Sequence, residues 1–201
     1  MARRGTELSE HILRAAKDVF LEVGFERATM DMIAARAQTS KRTLYAHFEN
    51  KEKLYLAVIK LVRGLFLGRI KMPTDYKGTP EEVLVQYCGR FLEVLLYNPV
   101  IQMCRASIAE AERFPDGSAQ YFDVVFTEVQ ERLAGYMEAQ FGMPTPDAVE
   151  LAAELLGRIL FPRFPRALFG LEKLADRLED EMSADFDLEA VRVAVRRVLR
   201  G

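Results

Sequence analysis

Residues 39–48, TSKRTLYAHF, crowd Lys41, Arg42 and His47 together with the hydroxyls of Thr39, Ser40, Thr43 and Tyr45 around two apolar positions, Leu44 and Phe48. Side chains of these types suit the recognition of a polyanion. Lysine and arginine donate to guanine O6 and N7, a planar guanidinium in two bonds at once, and hydroxyls reach phosphate oxygens or base acceptors. Acid–base, metal and phosphate-loop chemistry find no comparable footing. The chain has no Walker loop, no G-x-S-x-G and no H-E-x-x-H, and neither of its two histidines stands beside a carboxylate cluster. His11 is expected to be structural, and no cofactor or metal is implied.

The polar cluster needs elements to aim it. Thr29 is placed to cap a short helix, MDMIAARA, with Met32, Ile33 and Ala37 facing inward and Asp31 in the favourable first turn. Ser40 repeats that capping chemistry for KRTLYAHF, and the amides at the two helix starts are anion sites in their own right. Leu44 and Phe48, four residues apart, share one face and leave Lys41, Arg42, Thr43, Tyr45 and His47 on the other. Two short capped helices joined by three or four residues form a helix-turn-helix, whose second helix enters the major groove.

Ahead of this pair, Ile12, Ala16, Val19, Phe20 and Val23 recur on one face of a helix over about 7–23, stopped by Gly24. Behind it, a longer helix over 51–71 carries the stripe Leu54, Val58, Leu61, Val62 and Leu65, with Gly64 and Gly68 as points of bending or close packing. MPTDYKGTP is then a connection and the one plausible domain boundary. Four further helical segments follow, over about 80–97, 99–114, 117–141 and 145–161. After them come an irregular FPRFPRALFG, a short amphipathic piece around LEKLADRLEDE and a last helix, DLEAVRVAVRRVLR.

The fold class is all-α, since Ala, Leu, Glu and Arg dominate and β-branched alternation is almost absent. The net charge of −2 conceals an asymmetry: through Lys71 there are 14 Lys+Arg against 8 Asp+Glu, and beyond it 14 against 22. The N-terminal end is therefore the one suited to a polyanion. Arg3 and Arg4 read as a basic arm or a frayed tail. MARRGTELSE has no apolar core of a signal sequence, and AVIKLVRGLFLG is broken by Lys60 and Arg63. Neither export nor membrane spanning is expected, and the reading is cytoplasmic. Cys88 and Cys104 have no metal or redox spacing and read as small core residues, an oxidation sensor being the minor alternative.

The stretch ATMDMIAARAQTSKRTLYAHFENKEKLYLAVI closely resembles the N-terminal DNA-binding domain of the TetR/AcrR family of regulators. The pattern is met at Thr29, Ile33, Ala34, Ala37, Ser40, Thr43, Leu44, Tyr45, His47, Phe48, Lys51 and Leu54. The resemblance implies a homeodomain-like three-helix domain over 1–50, extending into the connecting helix 51–71. It also implies a helical effector-binding and dimerisation domain over 72–201. Thr29, Tyr45, His47 and Lys51 would hold the DNA backbone, and Thr39, Ser40, Lys41, Arg42 and Thr43 would face bases or adjacent phosphates. Gln38 and Thr39 replace the usual Gly-Val of the turn, and Arg42 stands where the family often has glycine.

A symmetric operator asks for a homodimer. DAVELAAELLGRIL is apolar nearly all round, and the final helix offers a second stripe. Leu155, Ile159, Val191, Val195 and Leu199 are therefore the expected interface, closure of a monomeric core being the alternative. Tyr87, Phe91, Met103, Cys104, Phe122 and Phe126 suit an adaptable pocket for an apolar small-molecule effector and equally suit a filled core. RASIAEAERFPD is similar to AefR-like members. The function implied is a DNA-binding transcriptional regulator, a repressor of a pseudo-palindromic operator released by an effector. The alternative is a ligand-binding or adaptor protein that no longer reads DNA, with an enzyme far behind.

Overall fold

The computed structural model describes the backbone of residues 2–200 and the side chains of residues 6–200; the side chains of Arg3 and Arg4, the expected basic arm, lie outside the described residues. Among the described residues eleven α-helices run in order: α1 (Ala2–Arg27), α2 (Met30–Arg36), α3 (Lys41–His47), α4 (Lys51–Ile70), α5 (Pro80–Leu95), α6 (Asn98–Ala109), α7 (Pro115–Phe122), α8 (Glu128–Phe141), α9 (Thr145–Leu160), α10 (Arg163–Leu168) and α11 (Glu189–Arg200). A 3-10 turn at Pro73–Asp75 and a π-helical turn at Asp123–Thr127 complete them. The only extended pairing among the described residues is one bridge between Tyr97 and Ala175.

The chain folds as two compact units. The first comprises residues 1–65 and 102–121, the second residues 66–101 and 122–201. This division differs from the single boundary expected at residue 72, because α4 and α6 each contribute residues to both units.

In the first unit α1 breaks at Gly24, whose φ of 78° and ψ of 164° lie in a region that only glycine enters without strain. The chain turns there and delivers Phe25 into an aromatic cluster with Phe20, Tyr55 and Phe114. Phe25 and Phe114 stack at 5.3 Å, and Phe20 meets Tyr55 edge-on at 5.1 Å. Gly117 is required beneath Phe114, since a Cβ there would lie 2.5 Å from its ring. Residues 102–121 are thus built into the helix-turn-helix unit, although their sequence places them among the middle helices.

The expected stripe of α4 holds at Leu54 and Val58, both fully buried, and then fails. Leu61 and Val62 are half-buried and Leu65 is exposed, while Tyr55, Ile59, Phe66, Leu67 and Ile70 are buried. A helix that serves two units in succession has no single inward stripe. Gly64 and Gly68 sit within the unbroken helix, and a Cβ at either would meet nothing within 4 Å, so close packing does not explain them.

In the second unit α9 lies against α8, α11 and α5, and α11 against α5. Leu155, Ile159, Val191 and Val195 are buried by that packing within one chain, and Leu199 is half-buried. Four of the five expected interface residues are therefore core within one chain. What α9 and α11 turn outward is a different set: Val149, Ala153 and Gly157 at four-residue steps, then Phe161, with Val193 on α11.

The stretch LEKLADRLEDE, expected as a short amphipathic piece, forms no helix. Residues 171–188 form a strap held by polar contacts, and FPRFPRALFG contains the short α10. The strap is organised by Arg90, a fully buried arginine of α5. Its guanidinium bonds Glu93 at 2.6 Å and donates to the carbonyls of Arg69, Glu179, Asp180 and Glu181. Glu93 in turn accepts from the amide of Ser183 at 2.9 Å. Buried charges persist only when paired and fully hydrogen-bonded, and this pair meets both conditions.

Candidate nucleic-acid interface

The two expected caps are formed. The Thr29 hydroxyl accepts from the amide of Met32 at 3.2 Å, and the Ser40 hydroxyl accepts from the amide of Thr43 at 3.0 Å. Each such cap contributes about 1 kcal/mol. Ser40 and Thr43 also share a hydroxyl contact of 2.8 Å, so part of the expected base-facing polarity is turned inward along α3.

Between the caps, α2 ends in a Schellman motif. The amide of Thr39 donates to the Ala34 carbonyl at 2.9 Å and that of Gln38 to the Ala35 carbonyl at 3.1 Å. Gln38 holds a left-handed φ of 48°, a conformation that glycine adopts without strain. Leu44 and Ile33 are fully buried and Ala37 nearly so, which fixes the angle between α2 and α3. Met32, expected inward, is exposed, and Met30 is buried in its place because the helix is rotated by its cap at Thr29.

That packing leaves one side of α3 in solvent. Lys41, Arg42, Tyr45 and His47 are exposed, with Thr29 and Ser40 beside them and Thr39 and Thr43 half-buried. Arg42 makes no ion pair or hydrogen bond among the described residues. Lys41 is held by Asp31 of α2 at 2.6 Å, an exposed pair that exchange with a phosphate costs little. His47 lies ring to ring with the neighbouring Phe48 at 6.2 Å. His11 donates through Nε2 to the Ala37 carbonyl at 3.2 Å, the structural role expected of it.

Lys51 stands apart from this set. Its ammonium donates to the carbonyls of Phe25 at 2.8 Å, Glu26 at 3.2 Å and Ala28 at 3.1 Å, and it lies 4.4 Å from the centre of the Phe25 ring. All three hydrogens are spent on the C-terminal end of α1, where the helix dipole favours a cation. Sequence reasoning could not find these acceptors, because a backbone carbonyl leaves no mark in the residue pattern.

The six residues expected around an effector are divided between the two units. Met103 and Cys104 belong to the first unit, and Tyr87, Phe91, Phe122 and Phe126 to the second. Tyr87 is buried with its hydroxyl on the Val129 carbonyl at 3.1 Å, and Phe91 is buried against Phe66. Cys104 is buried 4.0 Å from the Tyr121 hydroxyl. Phe122 is exposed, and Phe126 joins it to Phe164 in a partly exposed aromatic row. Burial pushes both cysteine thiols up to about 12. Neither has thiolate character near neutral pH, against an oxidation sensor. No group of three metal-ligating side chains occurs among the described residues. No helix of the described residues is long and apolar enough to cross a membrane.

A capped two-helix turn with a solvent-facing row of cations, hydroxyls and an imidazole, carried on an all-helical chain, defines a helix-turn-helix DNA-binding protein. Residues 12–58 match the family of bacterial regulatory proteins of the tetR type, and residues 82–197 match the C-terminal domain of AefR-like transcriptional repressors. The chain belongs to the TetR family of DNA-binding transcriptional regulators. It is 27% identical over 197 residues to the HTH-type transcriptional regulator TcmR of Streptomyces glaucescens, covering 94% of this chain and 80% of that protein. It is 28% identical over 184 residues to the HTH-type transcriptional repressor BepR of Brucella suis, covering 91% and 72%. A crystal structure of a TetR-family regulator from Mesorhizobium loti shares its fold with a TM-score of 0.79 at 24% identity, covering 98% of this chain and 97% of that one.

Proposed function

We propose that the chain acts as a homodimer that reads a pseudo-palindromic operator, represses transcription there, and lets go when a small-molecule effector binds. The observation that carries this reading is the exposed row on α3. Arg42 is unengaged, Tyr45 and His47 are free of hydrogen bonds, and Lys41 is tied only by an exposed ion pair. Arg42 is the residue we assign to base edges, and Thr29, Tyr45 and His47 to the DNA backbone. Thr39, Ser40, Lys41 and Thr43 border the same face and supply phosphate contacts.

A seven-residue helix spans about 10 Å and touches only a few base pairs, too few for useful specificity alone. Two-fold doubling answers this, and the outward faces of α9 and α11 suit it. The small stripe Val149, Ala153, Gly157 allows close approach. Glu150 on α9 and the exposed Arg192 and Arg197 of α11 would let two copies related by a dyad meet with complementary charge, while Glu154 and Arg196 are paired within the chain to Arg158 and Glu81. Nothing in the arrangement calls for catalysis, and the relatives named above are regulators. An effector that prefers one of two dimer conformations shifts their populations in proportion to its differential affinity.

Selection of bound sequences from a random DNA pool tests the proposal. The expected product is a motif repeated about a dyad, with half-site centres about one turn, ~34 Å, or a multiple of it apart. Arg42→Ala should relax preference at one position per half-site by about 1–3 kcal/mol. A pool with no enriched sequence would favour the adaptor reading instead.

A further inference from the structure

The second unit contains a polar cavity of about 210 Å3 between the end of α4, the start of α5 and the strap. Its lining includes Arg69, Lys71, Tyr76, Gln86, Asp180 and Glu181. Arg90 also borders it but is spent on Glu93 and on backbone carbonyls. The other two cations answer to exposed carboxylates. Lys71 Nζ lies 2.7 Å from Glu181 Oε1, and Arg69 Nη1 lies 3.5 Å from Asp180 Oδ1. Arg69 also donates through Nη1 to the Leu178 and Glu179 carbonyls, which leaves its Nε and Nη2 uncommitted.

The two answering carboxylates are almost wholly in solvent, with side-chain exposures of 96% for Asp180 and 83% for Glu181. They sit on the cations as tethered stand-ins that a turn of one rotamer returns to water. Lys71 reinforces the pattern. Its backbone is left-handed, at a φ of 62°, where glycine is cheaper, yet the position carries a side chain whose charge reaches the cavity. The volume corresponds to about seven waters at roughly 30 Å3 each, below the roughly 300 Å3 at which drug-sized pockets begin.

We infer that this cavity takes a small organic carboxylate, whose oxygens replace those of Asp180 and Glu181 on Arg69 and Lys71. The inference deepens the effector reading above and rests on it for any consequence at the operator. The exchange is carboxylate for carboxylate, so the ligand gains by presenting two carboxylates at once and reaching the Nε and Nη2 of Arg69 that Asp180 leaves free, against the entropy of its own capture. The amide oxygen of Gln86 stays available for a donor on the ligand, since that side chain's hydrogen bonds, to the Lys77 and Glu82 carbonyls, are made by its nitrogen.

Isothermal titration of the full chain with glutarate, at fixed ionic strength and without DNA, tests it. Saturable binding is expected for glutarate and none for the neutral glutaramide. Glu181→Gln removes the internal competitor while keeping its shape, so glutarate should bind about two- to fivefold tighter, the range an exposed ion pair spans. Lys71→Gln should abolish the heat while circular dichroism shows the helices intact. No heat with the native chain, equal affinity for inorganic phosphate or glutaramide, or an unchanged or weakened affinity in Glu181→Gln would each overturn the inference. The titration needs no operator, so it can fail while the DNA reading stands, and the DNA reading can fail while carboxylate binding stands.

Discussion

Replacing Lys51 by methionine keeps the apolar stem and deletes the ammonium, which separates two roles that residue type alone confuses. If Lys51 is a cap, its loss leaves the Phe25, Glu26 and Ala28 carbonyls without their shared donor and removes a cation from the Phe25 ring face. A hydrogen bond to a charged group contributes about 1.5–3 kcal/mol, and three on one ammonium share a single desolvation cost and do not triple. The ring contact contributes about 0.5–1 kcal/mol more at a partly exposed site. Glu26 is exposed and its carbonyl regains water, whereas Ala28 is fully buried and Phe25 nearly so. The expected destabilisation is therefore about 2–3 kcal/mol, a fall in Tm of about 5–10 °C for a chain of this size. Thermal unfolding at matched protein concentration measures it. DNA affinity of the folded variant, followed by fluorescence anisotropy across a salt series, should keep the native slope. A phosphate contact would instead leave Tm unchanged and lower that slope by about 0.9 per subunit. That outcome would refute the capping assignment.

Gln38→Gly relieves the left-handed residue in the α2–α3 turn and should raise stability by about 1 kcal/mol, read as a higher urea midpoint at unchanged slope. The thiols of Cys88 and Cys104 and the phenols of Tyr55 and Tyr76 are all pushed up to about 12 by burial, so they stay neutral in the folded chain where the unfolded chain ionises. Stability from these groups is intact below roughly pH 8.5, the ordinary thiol value, and is lost as pH rises from there toward 12. Urea midpoints should hold from pH 7 to 8 and drop by pH 10.5, and a thiol reagent at pH 8 should label neither cysteine until the chain unfolds. Arg90→Met strands the buried Glu93 carboxylate and should cost about 3–5 kcal/mol, whereas Arg90→Met with Glu93→Leu should recover much of that. In both variants hydrogen exchange at residues 178–183 should quicken, because the strap loses its anchor.

What the sequence made legible is what is local. Thr29 and Ser40 act on amides three residues away, Gly24 on its own φ, and Leu44 and Ile33 on faces set by helical spacing. All of these follow from short stretches of chain. The failures share a cause of the opposite kind. α9 is apolar on nearly every side, so periodicity does not say which side the core takes: Leu155 and Ile159, the expected interface, are buried, and Val149, Ala153 and Gly157 are the exposed positions. Leu65 fits the stripe of α4 by spacing, yet the helix passes from one unit to the other at that point and its buried face changes. The strap carries a helical pattern in LEKLADRLEDE, but its carbonyls are claimed by Arg69 and Arg90 from about ninety to a hundred and ten residues away.

Lys51 and Arg90 together show why counting cations overstates a DNA interface. Each looks free in sequence because its acceptors are main-chain oxygens, which every residue possesses and no pattern records. Of the four basic side chains expected at the nucleic acid, Lys51 is fully committed to α1 and Lys41 is partly committed to Asp31, which leaves Arg42 and His47 uncommitted. A cation already paired inside the protein must give up that partner to meet a phosphate, so its net gain is small. One without a partner gains the whole contact. The salt dependence of operator binding should accordingly draw more on Arg42 than on Lys51, and it is the pairing state of each charge rather than the count of charges that sets it.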